Sequence, residues 1–595
     1  MGVPGFFTWL LKNKKKLGAS NLILNQLEIK TKWLMLDTNC LLHPCVANIL
    51  EKYKEGMLNI DNTKDLRNQI ENYIWEKVKS YIDDMIEQIK PEYIYVGIDG
   101  VAPMGKILQQ RQRRYRFMFD KKIKLNTNVL GINEIEDCIG RTLTKSNGIE
   151  EPIIPISSIE LTPGTDYMER INKRMEKYMK QLEKSGIKYI YSSYHDEGEG
   201  EHKIIQYIKK YLSPSDTIVI YGLDADLLFL SLGIGYEYDL YVMREKQVFS
   251  NKEYDLDEVV EYNFVEIKQL HLLISNLNIS TDDFIVLCYL IGNDFLPGLL
   301  TIDVKKGGLD KIFRAWDNLK NKLGLTTEFD DENKIKSHIV YWDNSQKNSH
   351  CKINWHILKA LFEELFWTEK YIWKNINRDH ILNQDNLDSD ELEKLKYVKQ
   401  DEKKEQMQKF ILGESTNTDF LEKIEFSSGV EYYNYYLGTK CIDIDNTIIQ
   451  KMVQDYINCI EWCIIYYLDE CPSWTLGYNF IIAPLIKDII KFFPQSTDFK
   501  FDKRTLNPVE QLIMAIPPQT YKYVLEKNII DLVKSNKNIG FMIPEEFTID
   551  VNKEHIFWKC QVKIPIVEYN EFISEIKKIN ITNEKNKIYV PVQNF

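Results

Sequence analysis

Short apolar runs alternate with long charged segments through the first half of the chain. The runs are "WLMLD" (33–37), "YIYVGID" (93–99), "KYIYSS" (188–193), "TIVIYGLD" (217–224) and "DLYVM" (239–243), and charged stretches with helical periodicity, such as 64–90 and 166–185, lie between them. This alternation predicts an α/β unit over residues 1–315, a mostly parallel central sheet with flanking helices. Within it, "GEGEHKIIQYIKKYL" (198–212) carries an apolar stripe of Ile204, Ile205, Ile208 and Leu212, and Glu201 continues that stripe one turn earlier. A second predicted helix, "KILQQRQRRYRF" (106–117), places Lys106, Gln110, Arg113 and Arg114 at i, i+4, i+7 and i+8, within an arc of about 100° that a surface helix ordinarily fills with core residues. Arg111 and Arg116 point off that arc and are expected to be solvated charges or general contacts to a nucleic-acid backbone. Residues 316–425 turn rich in Asn, Asp, Glu and Lys, with the charge cluster "KYVKQDEKKEQMQK", and are expected to be a divergent connector with some helices and loops. From 426 to 595 the chain is aromatic and apolar again and reads as a mainly helical second region packed on the sheet, with a last strand-like run in "FWKCQVKIPIV".

Composition narrows the class. Hydrophobic residues make up 44% and charged residues 28% of the 595, ordinary globular usage that permits a sizeable core. The formal net charge of −12 argues against bulk attraction to nucleic acid, so any such contact must come from a local basic site. The 10 cysteines form no CxxC pair, which excludes a zinc ribbon and leaves reduced thiols of an intracellular protein as the expectation, with the cytoplasm expected and the nucleus left open. No apolar run approaches the roughly 18 residues of a membrane span. The N-terminal "MGVPGFFTWLLKNKKK" has its charges after its apolar part, unlike a secretory signal, and Phe6 stands where a myristoylation motif wants Ser or Thr.

Acidic residues recur where the strands stop. Asp37 ends "WLMLD", Asp99 ends "YIYVGID", Asp224 and Asp226 follow "TIVIYG", Glu199 and Glu201 follow "KYIYSS", and Asp294 sits in "IGNDFLPG". Open α/β sheets bind ligands beyond the carboxyl ends of their strands. Each acid alone serves equally well as a cap or turn residue. As a set they ask for a counter-ion, because two like charges ~4 Å apart repel by about 4 kcal/mol at an effective dielectric of about 20. All-oxygen donors suit Mg²⁺ or Mn²⁺, and paired ions of that kind promote phosphodiester hydrolysis, so a metal-dependent phosphodiesterase leads. On its own, His43 reads as a packed or capping histidine and Trp474 as a core residue.

The blocks "MGVPGFFTWL", "LDTNCLLHPC", "IDGVAPMGKILQQRQRRYR", "TPGTDYM", "GEGEHKI", "YGLDADLLFL" and "GNDFLPG", in this order, resemble the conserved blocks of the Xrn family of 5′→3′ exoribonucleases. "EWCIIYYLDECPSW", "APLIKDI", "NPVEQLIMAIPP" and "PEEFTIDVNKEHIFWKCQVKIPIVE" resemble the family's second conserved region, so the resemblance covers about 1–310 and 426–595. It implies a 5′ nuclease (PIN-like) core. It further implies that Asp37, Asp99, Glu199, Glu201, Asp224, Asp226 and Asp294 form an acidic site for two Mg²⁺, with Mn²⁺ an accepted substitute. Lys106, Gln110, Arg113 and Arg114 are implied to bind a 5′-monophosphate, and His43 and Trp474 to stack on bases. The implied activity is processive hydrolysis of 5′-monophosphorylated single-stranded RNA to nucleoside 5′-monophosphates, as in mRNA turnover. The implied partner is that RNA, with a monomer expected and no membrane or protein partner implied. Three positions depart from the family pattern: "TLGYNFIIAP" follows Trp474 in place of a run of Trp, Tyr and His, Gly298 replaces a His, and Glu197 replaces a Pro. The chain ends just after the second region, so a minimal catalytic core is expected. The alternatives are a structure-specific 5′ nuclease on DNA flaps, which shares the acidic core but lacks the second-region blocks, and a non-catalytic RNA-binding scaffold, against which the retained acids speak.

Overall fold

A computed structural model of the chain describes residues 3, 5–61, 63–126, 156–246, 261–302, 307–324, 338–342, 351–384, 428–437, 446–494, 497, 500–550, 561–579 and 581. In chain order, the elements that build the site are β1 (Ile23–Leu24), β2 (Trp33–Asp37), α1 (Asn39–Lys54), β3 (Tyr93–Gly97), α2 (Met104–Asn126), β4 (Lys188–Ser192), α3 (Gly200–Tyr211), β5 (Thr217–Tyr221), α4 (Asp226–Leu232), β6 (Asp239–Glu245), β7 (Tyr262–Glu266), α5 (Asn446–Leu468) and α6 (Pro508–Ala515). The five expected strands are present and run parallel in the order β6-β5-β2-β3-β4. An antiparallel edge of β7 and β1, which the apolar runs did not announce, extends the sheet to seven strands.

Both faces of the parallel part are covered, which is why its strands are continuously apolar rather than alternating. Trp33, Met35, Ile218 and Ile220 point to one face, and Leu34, Leu36, Val219 and Tyr221 to the other. The second face is covered by α1 and by the helices Leu66–Ile89 and Asp166–Lys184, close to the expected 64–90 and 166–185. Thr165 caps the latter, its hydroxyl accepting from the Met168 amide at 3.2 Å. On the first face the core runs without a break into α5 through residues such as Met452, Tyr456 and Ile460. The mainly helical second region is therefore packed directly against the sheet's own core.

The described part of 316–425 is more than a connector. The helix Gly308–Leu323 buries Ile312, Phe313, Trp316 and Leu319, and the helix Trp355–Gln384 packs on it with Ile357, Leu358, Leu361, Phe362 and Leu365 in the same core. That stripe has the i, i+3/i+4 spacing of a core-facing helix, but the average polarity of the segment hides it. The cluster at 396–409 and positions 557–560 of the last strand-like run lie outside the described residues. Of the rest of that run, Gln561–Lys563 forms a strand, antiparallel to Thr548–Asp550. Among the described residues, no helix is long and apolar enough to cross a membrane.

α2 crosses between the two regions, and its surroundings revise the expectation for Arg111 and Arg116. Ile107, Tyr115 and Met118 on α2 enter a third apolar cluster with Val509, Leu512 and Ile513 of α6. Arg111 is 1% exposed, its guanidinium donating to the carbonyl oxygens of Met542 and of Pro565 (2.8 Å), and Arg116 is buried as well. Neither is a solvated charge. The carboxyl-terminal segment folds over the flank of α2 that the helical wheel left facing water, and main-chain carbonyls meet Arg111 there.

Candidate active site

The sheet's topology creates the place for the acids. β2 lies between β3, which follows it in the chain, and β5, which comes much later, so a crevice opens at the carboxyl ends of these strands. Asp37 is the last residue of β2 and pairs in register with Gly97 of β3. Asp99 lies two residues beyond β3. Glu199 is the residue before α3 and Glu201 is in its first turn, Asp224 follows β5, and Asp226 opens α4. Asp294 is carried by a loop in which the Asn293 side chain accepts from the amides of Phe295 (2.9 Å) and Leu296 (2.8 Å).

Two glycines let these turns approach each other. A Cβ on Gly200 would stand 2.9 Å from Asp37 Oδ1 and from the Gly97 carbonyl oxygen, and its amide donates to Asp99 Oδ1 at 2.7 Å. Gly200 thereby holds Asp37 and Asp99 to one turn. A Cβ on Gly298 would lie 1.9 Å from the Ile291 carbonyl oxygen. The loop around Asp294 closes too tightly for the histidine that the family pattern has there.

All seven acids fall in one cluster, each within electrostatic reach of others in the set. Burial, with Asp99 adding, pushes Asp37 up to about 8. Burial, with Asp294 adding, pushes Asp226 up to about 7. Burial also raises Asp99 and Glu199, and Glu201 well above the usual range. For Asp294 burial is the largest influence and acts in the same direction, but the surrounding positive charges, Lys106 foremost and Arg113 among them, together hold that carboxyl low.

Lys106 is the counter-cation of the cluster. Its Nζ stands 2.5 Å from Glu199 Oε2 and 3.0 Å from Asp294 Oδ2, with 8% of the residue exposed. The other expected phosphate ligands continue outward along α2. Arg114 donates from Nη2 to the Thr162 hydroxyl (2.7 Å), while its Nη1 and the Gln110 Oε1 are buried without a hydrogen-bond partner among the described residues. Arg113 is exposed. Burial, with the neighbouring Arg113 charge adding, lowers Arg114 to about 10. His43, on α1, is exposed. Desolvation by neighbouring groups, with Arg114 and Arg113 adding, lowers its pKa to about 4. Trp474 is half-buried. Its amide donates to the Asp502 carbonyl (2.8 Å), its carbonyl accepts from the Met104 amide (2.9 Å), and its ring edge lies 3.6 Å from where a Gly198 Cβ would be. The structure therefore sets Trp474 beside Gly198, the residue before Glu199, at the entry to α2.

Several supporting residues escaped the sequence reading. The Cys40 thiol donates to Asp37 Oδ2 at 2.9 Å. Lys203, its pKa lowered to about 8 by burial, donates to the carbonyl oxygens of Ile98 (2.8 Å) and Ser193 (2.9 Å), tying together the strand ends that lead to Asp99 and Glu199. Arg244 donates to the carbonyl oxygens of Leu223 and Asp224. Tyr466 of α5 donates from its hydroxyl to Glu199 Oε1 at 2.8 Å. Cys40, three residues after Asp37, was a readable signal; the others depend on residues more distant in the chain.

The donor set fits hard divalent cations. The acids offer only carboxylate oxygens, and Glu201 Oε2 and Asp226 Oδ1 are buried without a hydrogen-bond partner among the described residues. As the side chains stand, with Lys106 between Glu199 and Asp294, no three His, Cys, Asp or Glu of the described residues are set to hold one ion together.

These protonation states predict how the metal-free protein responds to pH. An unfolded Asp titrates near 3.9, so between there and about pH 7–8 the folded chain binds more protons at Asp37 and Asp226 than the unfolded chain does. Stability must then fall as pH rises through that window. The Tm of metal-free protein is expected to drop from about pH 6 to about pH 9, and Ca²⁺ or Mg²⁺ to raise Tm more at the upper end, where the carboxylates are free of protons. A divalent-ion shift that is larger at low pH would contradict this account.

Two family models match the chain: one described as "XRN 5'-3' exonuclease N-terminus" over residues 1–246, and one described as "Xrn1 helical domain" over residues 275–588. The chain is similar to the 5'-3' exoribonuclease 1 of Schizosaccharomyces pombe, at 24% identity over 99% of this chain and 49% of the relative. It is similar to the Saccharomyces cerevisiae protein of that name at 24% identity, covering 97% of this chain and 43% of the relative, and to the Homo sapiens one at 23%, covering 99% and 34%. The chain thus spans about a third to a half of the length of these curated relatives.

Proposed function

The chain belongs to the XRN 5′–3′ exonuclease family, and from that premise we propose that it degrades single-stranded RNA processively from a 5′-monophosphate end, releasing nucleoside 5′-monophosphates. The observation that carries this reading is the contact of Lys106 Nζ with both Glu199 (2.5 Å) and Asp294 (3.0 Å). Through it, the polar row of α2 begins inside the acid cluster and continues outward to Gln110, Arg113 and Arg114. A terminal phosphate held along that row leaves the next phosphodiester beside the acids.

Asp37, Asp99, Glu199, Glu201, Asp224, Asp226 and Asp294 would hold two Mg²⁺, with Mn²⁺ an accepted substitute; such ions, when bound, activate water and stabilise the leaving 3′ oxygen. Arg114 presents a planar fork to the terminal phosphate, Gln110 a neutral amide and Lys106 a point charge. His43 is uncharged near neutrality, with its pKa at about 4, so it offers a neutral ring to a base and adds no third cation beside Arg113 and Arg114. Trp474 offers a second ring, beside Gly198. Stacking accepts any base, which degradation requires.

The reading is tested with single-stranded RNA carrying a 5′-monophosphate, 5′-hydroxyl or 5′-triphosphate, with Mg²⁺ or chelator, beside matched 5′-phosphorylated DNA and a DNA flap. The expected result is metal-dependent, processive loss of the monophosphorylated RNA alone. Preferential cleavage of the flap would assign the chain to structure-specific DNA nucleases. RNA left intact but bound would leave a scaffold.

A further inference from the structure

We propose that Tyr466, on the second region's helix α5, is a positioning residue for Glu199: it holds one oxygen of that carboxylate so that the other faces the centre of the acid cluster. The inference rests on the reading of that cluster as a nuclease site.

The two oxygens of Glu199 are divided between different donors. Oε1 accepts from the Tyr466 hydroxyl at 2.8 Å, and Oε2 meets Lys106 Nζ at 2.5 Å. A carboxylate gripped at both oxygens cannot turn about its last bond. Its neighbours lack such a grip, since Glu201 Oε2 and Asp226 Oδ1 have no hydrogen-bond partner among the described residues. The hydroxyl also differs in kind from the ammonium. It is a neutral donor, so it orients Glu199 without cancelling the negative charge that a divalent ion requires, and hydrogen bonds to a charged acceptor are among the stronger ones.

Tyr466 is itself held on every side. Its ring stacks on His202 at 4.2 Å and 5°, and on Trp462, one helical turn earlier, at 4.6 Å and 14°. Phe295, next to Asp294, meets Tyr466 edge-on at 5.3 Å and Trp462 at 4.8 Å. His202 Nε2 hydrogen-bonds the Tyr466 carbonyl oxygen at 3.1 Å, and Trp462 Nε1 donates to the Ser473 carbonyl oxygen at 2.7 Å, beside Trp474. This aromatic column links the second region to Glu199, Asp294 and Trp474 together. The second region thus sets the direction of a carboxylate in the crevice.

The decisive variant is Tyr466→Phe, which removes the hydroxyl and keeps the column. The expected result is a modestly lowered Tm with the fold kept and unchanged KM for RNA, with kcat lowered about tenfold or more and half-saturating Mg²⁺ raised several-fold. Ca²⁺ binding by calorimetry reads the same tie without catalysis, so it stays informative if the chain proves not to hydrolyse RNA. In a Glu199→Gln background, Tyr466→Phe should change Ca²⁺ affinity no further. Unchanged kcat and metal affinity in Tyr466→Phe would overturn the proposal, as would an equal effect with and without Glu199. A raised KM with kcat intact would also overturn it, by making Tyr466 part of the RNA wall.

Discussion

Asp226→Asn is expected to lower turnover of 5′-phosphorylated RNA by about 10²–10³-fold, the usual effect of deleting one preorganised electrostatic group, while making the metal-free protein more stable above about pH 7. The two effects share a cause. Asp226 is 3% exposed, its Oδ1 has no hydrogen-bond partner among the described residues, and burial with the nearby Asp294 charge pushes its pKa up to about 7. In the metal-free fold the ionised carboxylate is a liability, and the amide keeps its shape without its charge. A capping or core aspartate would behave oppositely, losing stability on substitution and keeping activity. Single-turnover rates at saturating RNA, beside melting of metal-free protein at pH values either side of 7, separate the cases. Retained turnover, or a Tm that falls above pH 7, would remove Asp226 from the proposed metal site.

Arg114→Met carries the second large effect, on which RNA end is accepted. A charge-assisted hydrogen bond to phosphate contributes about 1.5–3 kcal/mol, so the preference for 5′-monophosphate over 5′-hydroxyl RNA should shrink by roughly 10–100-fold. The loss should appear mainly in KM, because a terminal phosphate is held alike before and during cleavage. Arg113→Met should do less, since Arg113 is exposed and its charge is screened. Lys106→Met should differ from both: Lys106 also neutralises Glu199 and Asp294, so kcat should fall with KM, and the unneutralised acids should bind Ca²⁺ more tightly. Competition between differently ended RNAs in one reaction gives the ratio directly. An Arg114→Met protein with undiminished end preference would place the phosphate elsewhere.

Much of this was readable from residue order. The five parallel strands and the helices at 64–90 and 166–185 follow from local periodicity, and the acids are found at strand ends because turns gather there. The narrow row on α2 was readable as well, because helical spacing alone aligns Lys106, Gln110, Arg113 and Arg114. What the row touches was not. The wheel treats Lys106 and Arg111 only as cations on different arcs; folding puts Lys106 between two acids and seals Arg111 against the carbonyls of Met542 and Pro565. The helix Trp355–Gln384 was obscured because its apolar stripe is a minority in a polar segment, and only burial against Gly308–Leu323 reveals it.

The sequence by itself thus determined the five parallel strands and the helices between them, the chemical types available at each turn and the family to which the chain belongs. Tertiary structure alone decided which of these groups meet. Asp37 and Asp99 converge because Gly200, a hundred positions further along, has no Cβ to separate them. Glu199 is aimed by a tyrosine 267 residues away in the chain. Periodicity is a short-range property that a chain carries locally, whereas the direction of a carboxylate and the charge it keeps depend on contacts that exist only once the helical region has closed onto the sheet.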